Sequence, residues 1–308
     1  MRLRPAASRE GMALILVVTV VALLSILVVD FMGKAWVESA MATSYRDETQ
    51  AYYAARSGQE AAKLLLKAQA SGQSLAGMTP EMAAAGIPLP LGDDYAFFSI
   101  IDESGKIDLN QLITNRGYPN DRWIEVLKRL LARLEQDPNM AWAVVDWMDP
   151  DSEPRYGGAE TPYYSSRTPP YRAKNAPFDS VDELALVKGF KPEVMAKIRE
   201  HVTVWSSGKL NINTATPMAI MALDDSITEG MVKELIKIRM EKPFATINEI
   251  SKAPGFSEVF PRIALMITVK SDTYSVRSSA TFNETSKSIV GVYKAAGMTT
   301  KTLYYKTL

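Results

Sequence analysis

Cysteine is absent from the 308 residues. Disulfides and thiol chemistry are therefore excluded, and an exported fold would have to rest on its core or on a metal. Histidine is nearly absent: His201 stands alone, which removes most zinc sites and His-based catalytic schemes. We read it as a packing or surface residue. Net charge is missing too, with 35 basic against 35 acidic residues. Removing residues 1–11 takes away three arginines and one glutamate and leaves 32 against 34, which disfavours a nucleic-acid partner held mainly by charge. Carboxylates are plentiful, yet no nucleophile–base pair stands out, so an enzyme is not expected. Two local absences matter most: residues 12–29 contain no charge, and residues 12–79 contain no proline.

The uncharged run is eighteen residues of Ala, Leu, Ile, Val, Met, Thr and Ser. As a helix it measures about 27 Å, enough to cross a bilayer's hydrocarbon core. Arg2, Arg4 and Arg9 precede it and Asp30 closes it, which predicts a cytoplasmic N-terminus and an exported remainder. An ordinary secretory signal has a shorter apolar region with small residues close behind; Ala40-Met41-Ala42 lies too far downstream. An uncleaved signal anchor fits the run as well as a processed one. Without proline the helix can continue to about residue 70, with Trp36, Met41, Tyr45, Tyr52, Ala54, Ala55, Ala61, Ala62, Leu65 and Leu66 expected inside. Ser71-Gly72 ends it. Residues 73–92, with Pro80, Pro88 and Pro90, read as a surface connection, and residues 95–101 as a strand.

From Lys106 the chain repeats itself. Lys106-Ile-Asp-Leu-Asn110 matches Lys209-Leu-Asn-Ile-Asn213, and Pro177-Phe178 through Leu184 matches Pro243-Phe244 through Ile250. Both copies continue to Gly-Phe, at Gly189-Phe190 and Gly255-Phe256. Val202-Thr203-Val204 then matches Ile267-Thr268-Val269. Two copies of one small helical unit account for this order. Helices are expected at 121–135, 217–223 and 228–241, and short ones begin after the caps Ser180 and Thr246, which carry Glu183 and Glu249 three residues on. Copy one holds about 37 extra residues, a Pro-, Gly- and Tyr-rich acidic stretch at 146–176. After copy two, alternation at 273–282 and 287–294 predicts a hairpin, with a third strand at 302–305. A sheet shared with residues 95–101, and interrupted by the helical block, explains this spacing.

The basic leader, Arg9-Glu10-Gly11, apolar helix and polar helical extension resemble type IV pilin-like proteins. That resemblance implies prepilin-peptidase cleavage after Gly11, leaving Met12 as the mature N-terminus. Most of that class carry a glutamate at the fifth mature position; here it is Leu16. Together with Ala51-Tyr-Tyr-Ala-Ala-Arg56, Lys209-Leu-Asn-Ile-Asn-Thr-Ala215 and Asp146-Trp147, the chain is similar to the general secretion pathway protein K family of type II secretion. The implied fold is α+β: a pilin-like long N-terminal helix on an antiparallel sheet, with a large inserted α-helical domain of two helix-hairpin-helix/SAM-like repeats. The division is then leader 1–11, transmembrane helix 12–29, pilin-like part 30–105, insertion 106–270 (repeats 106–205 and 209–270) and C-terminal strands 271–308.

The implied role is a non-enzymatic minor pseudopilin capping the pseudopilus, anchored once in the bacterial inner membrane with its C-terminal domain in the periplasm. Its implied partners are other minor pseudopilins, the major pseudopilin, the assembly platform and the prepilin peptidase. An unpaired charge in a membrane costs at least about 2.5 kcal/mol, so Leu16 suits a subunit with no neighbour above it. The rival reading is a membrane-anchored helix-hairpin-helix protein of DNA uptake, which would bind phosphate at a Gly-x-Gly hairpin. Here the second glycine is Lys191 or Ser257, and Lys233, Lys237 and Arg239 read as a solvated face.

Asp146, Asp149, Asp151, Glu153 and Glu160 crowd the extra stretch. Asp149, Asp151 and Glu153 alternate and Glu160 lies eleven residues beyond Asp149, the spacing of an EF-hand loop, although Pro154 stands where that loop requires glycine. Five like charges held close repel unless a cation neutralises them. The resembling family holds calcium in its helical domain, and all-oxygen ligation points to Ca²⁺ rather than zinc. Asp149, Asp151 and Glu160 are the first expected ligands, Asp146 and Glu153 the next.

Overall fold

The computed structural model describes residues 9–70, 80–92, 94–296 and 299–308. Arg2, Arg4, the helix end expected at Ser71-Gly72 and residues 73–79 lie outside these. Helix α1 (Arg9–Ala70) is continuous over 62 residues, about 93 Å at 1.5 Å per residue, as a proline-free stretch allows. Residues 11–46 of α1 are exposed throughout, and its most apolar window has a mean hydropathy of 3.2, long and apolar enough to cross a membrane. From Asp47 onward one stripe turns inward: Ala51, Ala54, Ala55, Gln59, Ala62 and Leu66. Small residues let this half of the helix approach a sheet closely; a Cβ at Gly58 would meet the Ser278 Cβ at 3.0 Å. Trp36, Met41 and Tyr45, expected inside, are 74, 68 and 73% exposed. The sheet simply does not extend that far down the helix.

Next come α2 (Pro80–Ala85), β1 (Ile87–Leu91) and β2 (Asp94–Asp102). The expected surface connection therefore contains a helix and a strand. Its prolines misled: Pro88 and Pro90 are tolerated because β1 is an edge strand. The chain then leaves the sheet through β3 (Ile107–Asp108), α3 (Asp121–Arg133), α4 (Met140–Met148), α5 (Thr161–Ser165), α6 (Pro192–Ile198) and β4 (Val202–Thr203). The second block is β5 (Leu210–Asn211), α7 (Pro217–Ala222), α8 (Glu229–Glu241), α9 (Phe256–Ile263) and β6 (Ile267–Thr268). Tight 3-10 turns at Val181–Leu186 and Ile247–Lys252 precede α6 and α9. The chain returns as β7 (Thr273–Phe282), β8 (Thr285–Ala296) and β9 (Thr299–Thr307), completing an antiparallel sheet of order β1-β2-β7-β8-β9.

Strands β2 and β7 are thus neighbours, Asp102 facing Tyr274, and the whole helical block is inserted between them. The insertion joins the end of the sheet that lies far from the membrane span. Asn283, in the β7–β8 turn, donates to Asp47 at 2.6 Å, whereas Leu66, further along α1, packs with Ile100 and Tyr274 near the exit. At that exit Asp102 accepts from Asn211 Nδ2 at 3.1 Å, Thr214 Oγ1 at 2.5 Å and Ser271 Oγ. Glu103, 2% exposed, accepts from Thr203 Oγ1 at 2.5 Å, Ser275 Oγ at 2.6 Å and Lys106 Nζ at 2.8 Å.

The repeats share their central hydrogen bonds but not their caps: Ser180 forms a capping box with Glu183, whereas Thr246, expected to cap, makes no side-chain cap bond. Parallel pairs β3–β4 and β5–β6 close the two copies. In copy one Asn110 Nδ2 donates to Phe178 O and Val204 O, and Phe178 N donates back to Asn110 Oδ1. In copy two Asn213 does the same with Phe244 and Val269. Each asparagine ties its opening turn to its Pro-Phe segment and its last strand. Replacing Asn110 or Asn213 by alanine strands one N–H and two carbonyls, so each change is expected to cost about 2–3 kcal/mol. Chemical denaturation of the full-length protein in detergent checks this; a cost below about 0.5 kcal/mol at either position would remove the asparagine from that role.

Candidate functional site

The segment Met-Ala-Trp-Ala-Val-Val-Asp-Trp-Met forms α4, which packs through Ala141, Val144, Val145 and Met148. Asp146 therefore sits in the last turn of a helix, not in a loop as expected. Asp149 ends that helix in extended backbone, its N–H bonded to Val145 O at 2.9 Å. Asp151 then turns the chain by accepting Glu153 N at 2.8 Å. Gly157, at φ 85, and Gly158 fold the loop back; a Cβ on Gly158 would lie 1.9 Å from Asp146 Oδ2. Glu160 precedes α5, which is anchored by Tyr164, fully buried and stacked on Tyr171 with Trp147 edge-on at 5.0 Å.

This folding brings Asp149, Asp151 and Glu160 together, with one ligand oxygen from each lying within 4.8 Å of the others. Asp149 is fully buried and Glu160 is 2% exposed. Asp149 Oδ1 and both Glu160 oxygens are buried without a hydrogen-bond partner. Glu153 stays outside the group, exposed to solvent; alternation aims it away because the Asx turn at Asp151 bends the chain first. Asp146 is fully buried but faces Arg155, whose N donates to Oδ2 at 3.0 Å and whose Nη1 donates to Oδ1 at 2.7 Å. The same Nη1 donates to Asp149 Oδ2, and Nη2 lies 3.6 Å from Asp151 Oδ2. Carboxylate spacing alone does not reveal Arg155, the one cation between Asp146 and Glu160.

Burial raises the Asp146 and Asp149 carboxyls despite Arg155. Burial first, and then the neighbouring Asp146 and Asp149, push Glu160 to about 7. Unpartnered, buried, all-oxygen donors of this kind suit a hard divalent cation.

Both hairpin glycines pack against a methionine. At Gly255, φ 81, the Cβ position is 2.8 Å from Met231 Cγ, and at Gly189, φ 94, it is 3.0 Å from Met140 Cε. The glycines let one hairpin pack on α4 and the other on α8. Arg239, expected on a solvated face, is half-buried and donates to Ile212 O at 2.7 Å and Ala215 O at 2.8 Å. Lys233 and Lys237 are exposed as expected. His201 is a packing residue, 7% exposed, with Nδ1 2.8 Å from the hydroxyl of Thr216, the cap of α7.

A long helix that emerges from an apolar span and packs its second half on an antiparallel sheet defines a pilin-like, single-pass membrane-anchored subunit. Models described as type II secretion system (T2SS), protein K match residues 105–207 and 210–270, together more than half of the chain. The chain belongs to that family, the protein K minor pseudopilins of type II secretion. It is 25% identical to the type II secretion system protein K of Pseudomonas aeruginosa over 256 residues, 79% of this chain and 76% of that one. With the Klebsiella pneumoniae protein K it shares 25% over 265 residues, 81% of each. The fold is similar to that in the crystal structure of the GspK-GspI-GspJ complex from enterotoxigenic Escherichia coli, with a TM-score of 0.73 at 19% identity over 87% of this chain and 99% of that one. The DNA-uptake alternative finds no support among these relatives.

Glu160 titrates higher when folded than its ordinary 4.5. The folded protein then holds the extra proton, so with divalent cations removed its stability is expected to fall as pH rises from about 4.5 through about 7. Thermal unfolding in EDTA across that range checks the slope, and Glu160→Gln should flatten it. An unchanged slope in the variant would assign the pH dependence elsewhere.

Proposed function

We propose that this chain caps a type II secretion pseudopilus as a structural, non-enzymatic subunit, bound to other minor pseudopilins and, through them, to the major pseudopilin. The observation that carries this reading is the position of the insertion, at the end of the sheet away from the membrane span. A domain at that end suits the last subunit of a filament, which needs no surface for a further subunit above. Leu16 agrees, since a terminal subunit has no amino terminus above it for a carboxylate to meet. The solved relative was captured with two partners, GspI and GspJ, and equivalent partners are proposed here. The anchor would lie in the inner membrane with the sheet and insertion in the periplasm. A prepilin peptidase would remove residues 1–11, and the assembly platform would take up the mature protein.

Purification of the full-length protein from membranes, co-expressed with its neighbouring minor pseudopilins and peptidase, tests both parts. Mass spectrometry should find a stable complex in which this chain begins at Met12. A chain that purifies alone would overturn the cap; an intact Met1 would overturn the processing and return the span to a signal anchor.

We further propose that Asp149, Asp151 and Glu160 hold calcium, with Glu153 free of it. The ion would neutralise carboxylates that the fold crowds together and so staple the loop between α4 and α5. The support is the set of unpartnered buried oxygens. Millimolar calcium is expected to raise the melting temperature of the EDTA-treated protein by roughly 5–10 °C, and Asp151→Ala to abolish the rise. Identical curves with and without calcium would leave an acidic loop neutralised by Arg155 alone.

A further inference from the structure

Arg155 divides the acidic cluster into two sets of oxygens. Its backbone N–H and Nη1 engage both oxygens of Asp146, and Nη1 also takes Asp149 Oδ2. The oxygens it leaves are Asp149 Oδ1 and the two of Glu160, all buried and without hydrogen-bond partners. Asp149 is therefore held through Oδ2 while Oδ1 stays buried and unpartnered, and one oxygen of Asp149 lies within 4.8 Å of ligand atoms on Asp151 and Glu160.

We infer that Arg155 is a positioning residue for the calcium proposed above, and that Asp146 anchors Arg155 and is not itself a ligand. The inference rests on the calcium reading. Charge allows guanidinium and metal together: fully ionised, Asp146, Asp149, Asp151 and Glu160 bring four negative charges, of which Arg155 cancels one and a divalent cation two more. Without the guanidinium, Asp146 and Asp149 repel each other across a buried site, and nothing fixes which way Asp149 turns. A planar fork suits this role, since one Nη1 bridges two carboxylates, which a point ammonium on a flexible stem does less well. Gly158 belongs to the same arrangement, because any side chain there would strike Asp146.

The alternative is that Arg155 merely occupies the cluster until metal displaces it. The two differ in sign. Removing a positioning partner that holds a ligand in place typically weakens metal binding 10–100-fold, whereas removing a competitor strengthens it. Calorimetric titration of full-length protein in detergent with calcium chloride, after EDTA treatment, separates them. Arg155→Gln is expected to bind at least about tenfold more weakly, and Arg155→Lys to fall between it and the natural protein. Circular dichroism confines the comparison to folded protein, and if Arg155→Gln does not fold, Arg155→Lys must still show a several-fold loss. Unchanged or tighter binding by the folded variants would overturn the inference while leaving the calcium site standing. Failure of the natural protein to bind calcium would overturn the calcium reading itself, and this inference with it.

Discussion

The adjacency of β2 and β7 constrains everything above it. The sheet forms only if segments 169 residues apart, at Asp102 and Ser271, come together. Closing a loop of that length as flexible chain costs about 4–5 kcal/mol from its length alone. The insertion lowers this cost by folding on its own core, separate from the packing between α1 and the sheet, and by ending each repeat beside its start through a short parallel pair. Asp102 and Glu103 then tie both repeats to the sheet. Asp102 holds Asn211, Thr214 and Ser271, and Glu103 holds Thr203 and Ser275. Burial raises the Asp102 carboxyl, opposed by four hydrogen bonds. Two adjacent carboxylates thus set where the insertion stands on the pilin-like body.

Below that joint α1 packs on the sheet largely through small residues, and its fully buried polar contact is Gln59. Gln59 is fully buried and donates to Val276 O, Ser278 Oγ and Ile289 O while accepting from the Tyr293 hydroxyl at 2.7 Å. A buried amide satisfied at both ends specifies one register, because sliding the helix would leave it unpaired. The membrane half of α1 needs no such device. Its side chains are exposed in the isolated subunit, and lipid or neighbouring helices are the surroundings that suit them.

The acidic loop poses the opposite problem. Small-residue packing is self-satisfying, but the α4–α5 loop buries carboxylates that the protein alone neutralises only in part. Arg155 answers for Asp146 and half of Asp149, and Glu160 remains without a partner. Trp147, Tyr164 and Tyr171 pack ring on ring beside this loop, which fixes the start of α5 next to Glu160.

Much of this was legible in the linear chain, because the signals were periodic or local. The apolar run and the missing prolines specified a long helix, and alternation specified the C-terminal strands. Paired motifs from Lys106 and Lys209 specified two repeats, down to the asparagines that make the same three bonds in each. The acidic spacing named Asp149, Asp151 and Glu160, which the fold does gather. What stayed hidden depended on partners distant in sequence. Trp36, Met41 and Tyr45 have the look of core residues, and only the extent of the sheet leaves them outside. Pro88 and Pro90 speak against a strand until the edge position is known. Asp146 and Glu153 belong to the same acidic run, yet a helix end and an Asx turn send one to Arg155 and the other to solvent. Arg239 reads as a surface cation until the carbonyls of Ile212 and Ala215 fold against it. Sequence alone determined the long helix, the C-terminal strands and the repetition, since those follow from short-range sterics and hydrophobic period. Tertiary structure decided which charges were buried and with whom, because desolvation and pairing depend on what folds over a residue.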